Sequence, residues 1–257
     1  MEREMKKYVI LIIIAFAGVI LAQGTNPNYY QPRSIVDMPT AGLLPDRAWM
    51  GQIQLGEAGS LLSYFGIGLW GRVQAGVSYG AYGVLGRGFA TAYPRPSFQL
   101  KVRPIEESRD FPAIVIGYDD QGHGIWDSGR KRYARKSPGA YLVFSKNWAT
   151  FGGNAGVHLG TNYSFETHDQ GGINIWVGVD KNLGEMFAVS IEYDAAMNDY
   201  HKEDGVYGSG KGYLNAGIKW SVRPDFEIEF ILSDCLVNDQ NAKTFSREVR
   251  LSFVYPL

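Results

Sequence analysis

The sequence predicts an all-β chain: an antiparallel, up-and-down transmembrane β-barrel of about twelve strands. Three observations predict it. An apolar leader precedes the rest of the chain, apolar and polar residues alternate in runs of about ten, and short turns alternate with long polar loops.

The leader comes first. Arg3, Lys6 and Lys7 precede an unbroken apolar run from Tyr8 to Ala22, which is 15 residues long. A membrane-spanning helix needs about 20 such residues, so the run reads as a secretory h-region with cleavage after Ala22. The expected organisation is a signal peptide over 1–22, a periplasmic segment over 23–46 and a barrel over 47–257. Cys235 is the only cysteine, which leaves no intramolecular disulfide, no cysteine metal cluster and no lipoprotein anchor near the leader.

The strands follow. Ile173, Ile175, Val177 and Val179 alternate with Asn174, Trp176 and Gly178; Phe187, Val189, Ile191 and Tyr193 alternate with Ala188, Ser190 and Glu192. Leu214 to Trp220, Phe226 to Leu232 and Val249 to Tyr255 keep the same period of two. With the less regular front half, strands are expected at 47–56, 60–70, 72–81, 96–104, 111–119, 138–146, 152–162, 171–180, 185–195, 211–221, 225–234 and 246–255. The connections 82–95, 120–137, 163–170, 196–210 and 235–245 are long and polar. Those at 105–110, 147–151, 181–184 and 222–224 are short, as in Arg223-Pro-Asp225. Long loops on one rim, short turns on the other and an even strand count match a bacterial outer-membrane barrel. The location expected is therefore the outer membrane of a Gram-negative-type bacterium.

Composition excludes other classes. Glycine makes up 32 of 257 residues and the net charge is −1, unlike a nucleic-acid binder. An apolar content of 45% excludes a disordered chain. A soluble barrel would show the same period with its apolar face inward. The leader, the mixed charges on the polar face, and Trp220, Phe226, Phe253 and Tyr255 near strand ends favour the membrane form.

On the polar face, Gln52, Gln54, Gln74, Gln99, Lys101, Arg103, His158, Glu192, Lys219, Glu227, Glu229 and Arg250 are expected to face the lumen. They make either a narrow polar path for a sugar or ion, or a plug of mutually neutralising charges. Arg130, Lys131, Arg132, Arg135 and Lys136 form a basic cluster expected on the outer rim. There they either meet lipopolysaccharide phosphates or an acidic polysaccharide, or are simply solvated. Glu106 and Glu107 read as a solvated turn or as partners of Lys101 or Arg103.

Two stretches are similar to a known family. Asp37-Met-Pro-Thr-Ala-Gly-Leu-Leu-Pro-Asp46 supplies Pro39, Thr40, Ala41 and Pro45 of one motif. The stretch Tyr93 to Gly124 supplies Lys101, Arg103, Glu106, Glu107, Pro112, Ala113, Gly117 and Asp119 of another. Both resemble the YjbH family of outer-membrane β-barrel proteins, over about residues 37–146. The resemblance implies a barrel with a binding or transport role in assembling or exporting surface exopolysaccharide, possible partners being other polysaccharide-export components. The residues leave open a structural barrel with a plugged lumen serving envelope integrity, and a lipid-modifying hydrolase. No enzyme, cofactor or metal is expected. His123, His158, His168 and His201 are scattered, no serine with spacing matched to His158 is evident, and no G-x-S-x-G occurs.

Overall fold

A computed structural model describes residues 31–86, 89–166, 172–199 and 207–257. The proposed signal peptide, His168 and His201 lie outside the described residues.

Twelve strands close into one antiparallel barrel. They are β1 (Ala48–Gly56), β2 (Ser60–Leu69), β3 (Val73–Tyr82), β5 (Ser97–Ile105), β6 (Ala113–Asp119), β9 (Gly139–Thr150), β10 (Gly153–Tyr163), β11 (Ile173–Leu183), β12 (Phe187–Asp194), β13 (Tyr213–Arg223), β14 (Phe226–Ser233) and β15 (Ser246–Pro256). Each pairs with its neighbours in chain order, and β1 pairs with β15 to seal the sheet, with Gln54 opposite Arg250. Closure leaves no unpaired edge, which a strand structure in lipid requires. The short strand β4 (Thr91–Ala92) adds to β3. A separate hairpin, β7 (His123–Asp127) with β8 (Arg132–Arg135), belongs to the loop between β6 and β9.

All twelve expected strands are present. The main difference in extent is that β9, β11 and β13 continue past their expected ends, turning at Phe151, Gly184 and Pro224. Both ends of the barrel, Ala48 and Pro256, lie on the short-turn rim.

Alternation divides each strand between two environments. Ile53, Phe65, Phe98, Ile116, Leu159, Ile175, Ile218 and Phe230 are exposed on the outside. Such a band of large apolar side chains is stable in lipid and not in water, so the barrel spans a membrane. At the short-turn rim, Phe226 stacks on Phe253 at 4.4 Å, and Trp49 stacks on Tyr255 at 5.8 Å. This forms part of an aromatic girdle at the membrane–water boundary. The protein is an outer-membrane β-barrel.

Two inward aromatics lie flat across the neighbouring strand, at places where that strand has no side chain. Tyr141 crosses Gly117 and Trp176 crosses Gly160, their register partners. A Cβ on these glycines would sit 2.3 and 2.0 Å from the rings.

The lumen is not open. Residues 31–46, expected in the periplasm, instead enter the barrel from the short-turn rim. They form a hairpin there: Ile35 N–H donates to Met38 O at 2.9 Å, and Thr40 N–H donates to Arg33 O at 3.2 Å. Ile35, Met38 and Ala41 pack against Ala113, Val115, Tyr141, Val143 and Trp176 of the wall. Burying these side chains supplies the drive for insertion, since a periplasmic tail would leave them in water.

Candidate functional site: a lumen closed by two hairpins

The site is built where the inserted segment meets the polar wall and the β7–β8 hairpin. Asp37 stands at the tip of the inner hairpin. Its Oδ2 accepts from Arg135 Nη1 at 2.8 Å, and its Oδ1 lies 3.4 Å from Arg250 Nη2. His123 Nε2 is 3.8 Å from Asp37 Oδ1, and Asn215 Nδ2 donates to Oδ2 at 3.5 Å. Arg250 comes from the wall, whereas Arg135 and His123 come from the hairpin reaching inward from the long-loop side. One carboxylate therefore joins segments entering from opposite ends.

The electrostatics favour this junction. Burial acts to raise the Asp37 pKa, but the charges of His123, Arg135 and Arg250 outweigh it and hold the carboxyl at about 2. Burial pushes His123 down from its ordinary value, with Asp37 opposing. Arg135 is further paired with Glu57 and Glu248, each at 3.3 Å, so no charge at the junction stands alone.

The wall also reads the backbone of the inserted segment. Glu192 Oε2 accepts from the N–H groups of Val36, Asp37 and Met38 at 3.0, 3.1 and 2.8 Å. Gln74 Oε1 accepts from Leu44 N–H, and Ser145 Oγ accepts from Ala41 N–H, both at 2.9 Å. Lys101 Nζ donates to Arg33 O at 2.5 Å, and Arg250 Nη1 donates to Val36 O at 2.9 Å. Side chains on the wall thus satisfy amide groups that neither the sheet nor the inner hairpin could satisfy.

All twelve lumen candidates point inward, and they separate into groups. Lys219, Glu227, Glu229 and Arg250 form one ionic patch with Arg33, in which Arg250 and Glu229 are 2.9 Å apart. Gln52 and Gln54 adjoin it, bonded to Ser252 and to Glu248 and Arg250. Gln74, Gln99, Tyr64 and Asp119 make a second network, with Lys101 beside it. Glu192 lies across the lumen under the hairpin tip. Arg103 sits at the short-turn rim, bonded to Gln31 and Gly71 O.

His158 belongs to a triad that the spacing did not reveal. Its Nδ1 is 2.8 Å from Ser145 Oγ, and its Nε2 is 2.6 Å from Asp180 Oδ1. Ser145 is the register partner of His158 across the sheet, thirteen residues away, so linear spacing could not show it. The hydroxyl is buried beneath Ala41 and faces the lumen, not lipid.

The basic outer-loop expectation needs correction. Arg132, Arg135 and Lys136 are buried. Arg132 pairs with Asp199 at 2.6 Å and lies 3.9 Å over the Tyr207 ring; Lys136 donates to Asn198 O at 2.6 Å. Only Arg130 and Lys131 remain exposed, and Arg130 is 3.4 Å from Asp127. The cause is that the β7–β8 hairpin is packed into the barrel mouth. Arg132 and Arg135 are three residues apart, so period two sends them to opposite faces of β8, and both are covered, Arg132 by Asp199 and Tyr207 and Arg135 by Asp37, Glu57 and Glu248. Of the turn carboxylates, Glu106 is exposed, as in a solvated turn, and both take partners other than Lys101 and Arg103. Glu106 pairs with Arg72 at 3.4 Å, while Glu107 accepts from Asn147 N–H and Nδ2 and lies near Lys146.

Space remains on both sides of the inserted hairpin. A chamber of about 110 Å³ is bordered by Asp37, Arg33, Tyr64, the four wall glutamines, Gln121, His123 and Arg250. A vestibule of about 470 Å³ opens beside Pro32 and Ile35, against Asp180, Asn182, Glu227 and the β12–β14 wall. Lys219 and Glu229 border both, so the ionic patch is the partition between them.

No protein-family model and no curated relative matches the chain. The chain is similar to solved outer-membrane barrels. With the KdgM porin it shares 9% identity at a TM-score of 0.49, covering 82% of this chain and 99% of that one. With the NanC porin it shares 11% at 0.45, covering 81% and 99%. With the COG4313 outer membrane channel from Pseudomonas putida F1 it shares 9% at 0.42, covering 90% and 100%.

Proposed function

We propose that the protein is a gated outer-membrane channel for a polar saccharide, acting in the assembly or export of surface polysaccharide, and that its self-plugged form is the closed state. The observation carrying this reading is how the segment 31–46 is seated. Many of the contacts of its inner hairpin are hydrogen bonds and ion pairs to side chains that would face an aqueous lumen once it leaves. Such contacts exchange for water at modest net cost, so withdrawal gives up chiefly the apolar packing of Ile35, Met38 and Ala41 against the wall. The vestibule beside Pro32 and Ile35 gives the segment somewhere to move.

The polysaccharide part rests on the YjbH-like motifs and on the chamber lining. Amides, hydroxyls and guanidinium groups are the donors and acceptors that bind sugar hydroxyls. Arg130 and Lys131 are the exposed cations left to meet lipopolysaccharide phosphates. A second reading, a permanently closed structural barrel, is favoured by the Asp37–Arg135 junction between the two hairpins.

Planar-bilayer currents separate the readings. The full chain is expected to conduct rarely, and a variant lacking residues 33–44 persistently. A deletion variant that keeps heat-modifiable migration yet passes no current would leave the structural barrel as the answer.

A further inference from the structure

The inserted hairpin occupies its seat as a ligand would. Its only acidic side chain is clamped by groups from three separate parts of the chain, while acceptors and donors on the wall take up its amides. We propose that Asp37 fills a carboxylate subsite of the lumen, and that the ligand which replaces it is an acidic sugar, a uronate or similarly carboxylated glycan unit. This inference rests on the channel reading and names its substrate class.

Three observations carry it. First, the cradle around Asp37 is shaped for a carboxylate: guanidinium groups of Arg135 and Arg250 address different oxygens at 2.8 and 3.4 Å. Asn215 and His123 complete the ring of donors. Planar guanidinium groups recognise planar carboxylates with directional hydrogen bonds, which a bare positive charge does not provide.

Second, the cradle is built into the barrel and its mouth independently of the inserted segment. Arg250 is held by Glu229 and Gln54, and Arg135 by Glu248, Glu57 and Ser233. With Asp37 withdrawn, both cations would keep these partners and their positions, ready for another anion. A pair that existed only to retain the hairpin would not need such supports.

Third, the subsite opens onto space of the right chemistry. Asp37 and Arg250 border the chamber of about 110 Å³, whose lining also includes Gln54, Gln74 and Tyr64. On the other side Asp37, Arg135, Glu192 and Asn215 border a smaller cavity of about 20 Å³. A carboxylate in the cradle would therefore have its sugar ring beside amides and a phenol, with the Glu192 carboxylate free to accept from a hydroxyl or an N-acyl N–H.

The Ser145–His158–Asp180 triad does not compete with this proposal. It serves the same segment by presenting Ser145 Oγ to Ala41 N–H.

The test is calorimetric titration of the full chain in detergent micelles with glucuronate, glucose and acetate. Asp37→Ala empties the cradle and is expected to bind glucuronate about tenfold tighter than the unaltered chain. Asp37→Ala combined with Arg250→Gln is expected to lose that gain, and glucose is expected to bind to neither. Heat-modifiable migration checks the fold of each variant; Asp37→Ser, whose shorter side chain also leaves the cradle open, replaces Asp37→Ala if the latter fails to fold. No gain for the Asp37 variant overturns the proposal, as does equal binding of glucose, or of acetate, which would leave a simple anion site. If the variant lacking residues 33–44 conducts while the Asp37 variant shows no gain for glucuronate, the channel stands and the substrate class falls. If it stays closed while the gain for glucuronate appears, the sugar subsite stands and transport falls.

Discussion

Glu192→Ala is the perturbation that most sharply addresses how the lumen is held shut. One carboxylate oxygen accepts from three consecutive N–H groups of the inner hairpin, at 3.0, 3.1 and 2.8 Å, and the residue is fully buried. Each donor left unpaired in a buried place costs about 1–3 kcal/mol. Taking the low end for each, because the cavity of about 20 Å³ bordered by Glu192, Asp37 and Met38 has room for a water, the plugged state loses about 3 kcal/mol. A loss of about 3 kcal/mol shifts the ratio of open to closed states by about a hundredfold. Single-channel recording measures that ratio directly as open probability. Glu192→Gln retains an acceptor oxygen and is expected to shift the ratio by about tenfold at most. If Glu192→Ala migrates as a folded barrel and opens no more often than the unaltered chain, the reasoning that these bonds hold the segment is refuted.

Other outcomes follow from the same geometry. Gly178 is the socket for Ile35, whose Cδ1 lies 2.4 Å from where a Cβ would stand, so Gly178→Phe is expected to expel the hairpin and raise the open probability. Gly160→Val would drive a side chain into the Trp176 ring and is expected to destabilise the barrel by about 1–3 kcal/mol, read as a lower temperature for loss of heat-modifiable migration. Phe230→Arg, on the lipid face, is expected to cost about 2–4 kcal/mol in reversible folding into vesicles if its depth is near the bilayer midplane. Asp37 also gives a pH signature. Its pKa falls from 3.8 to about 2 in the folded chain, so its contribution is complete above 3.8 and is lost as pH falls from there toward about 2. The Asp37 contribution is thus constant between pH 7 and pH 5, and currents are expected to rise below about pH 4, with Asp37→Asn abolishing the Asp37-dependent part of that rise.

The barrel was legible because its signal is local. A period of two over ten residues, with polar residues between, fixes which side chains meet lipid, and the turn lengths fix the rims. All twelve inward candidates follow from that period alone. The plug was not legible in the same way, because it depends on contacts such as Asp37 with Arg135 and Val36 with Glu192, separated by 98 and 156 residues. Two signals did point to it. Ala113-Ile-Val-Ile116 is apolar on both faces, which in a water-filled barrel would waste Ala113 and Val115, and Ile35, Val36 and Met38 were too apolar for a periplasmic tail. The burial of Arg135 is hidden for a related reason: a run of cations reads as solvated, and the carboxylates that cover it, Asp37, Glu57 and Glu248, are distant in sequence. Ser145 escaped because a cross-strand neighbour is defined by register, and register is set by the whole sheet.

Residues 33–44 form a plug seated inside the barrel. Hydrogen–deuterium exchange of the protein in outer-membrane vesicles tests it most directly. The amides of Val36, Met38, Ala41 and Leu44 are expected to exchange slowly, more like those of the barrel strands than like an unfolded tail. Exchange of those four amides at the rate of an unstructured peptide, while the strands stay protected, would show that the segment is not seated in the lumen.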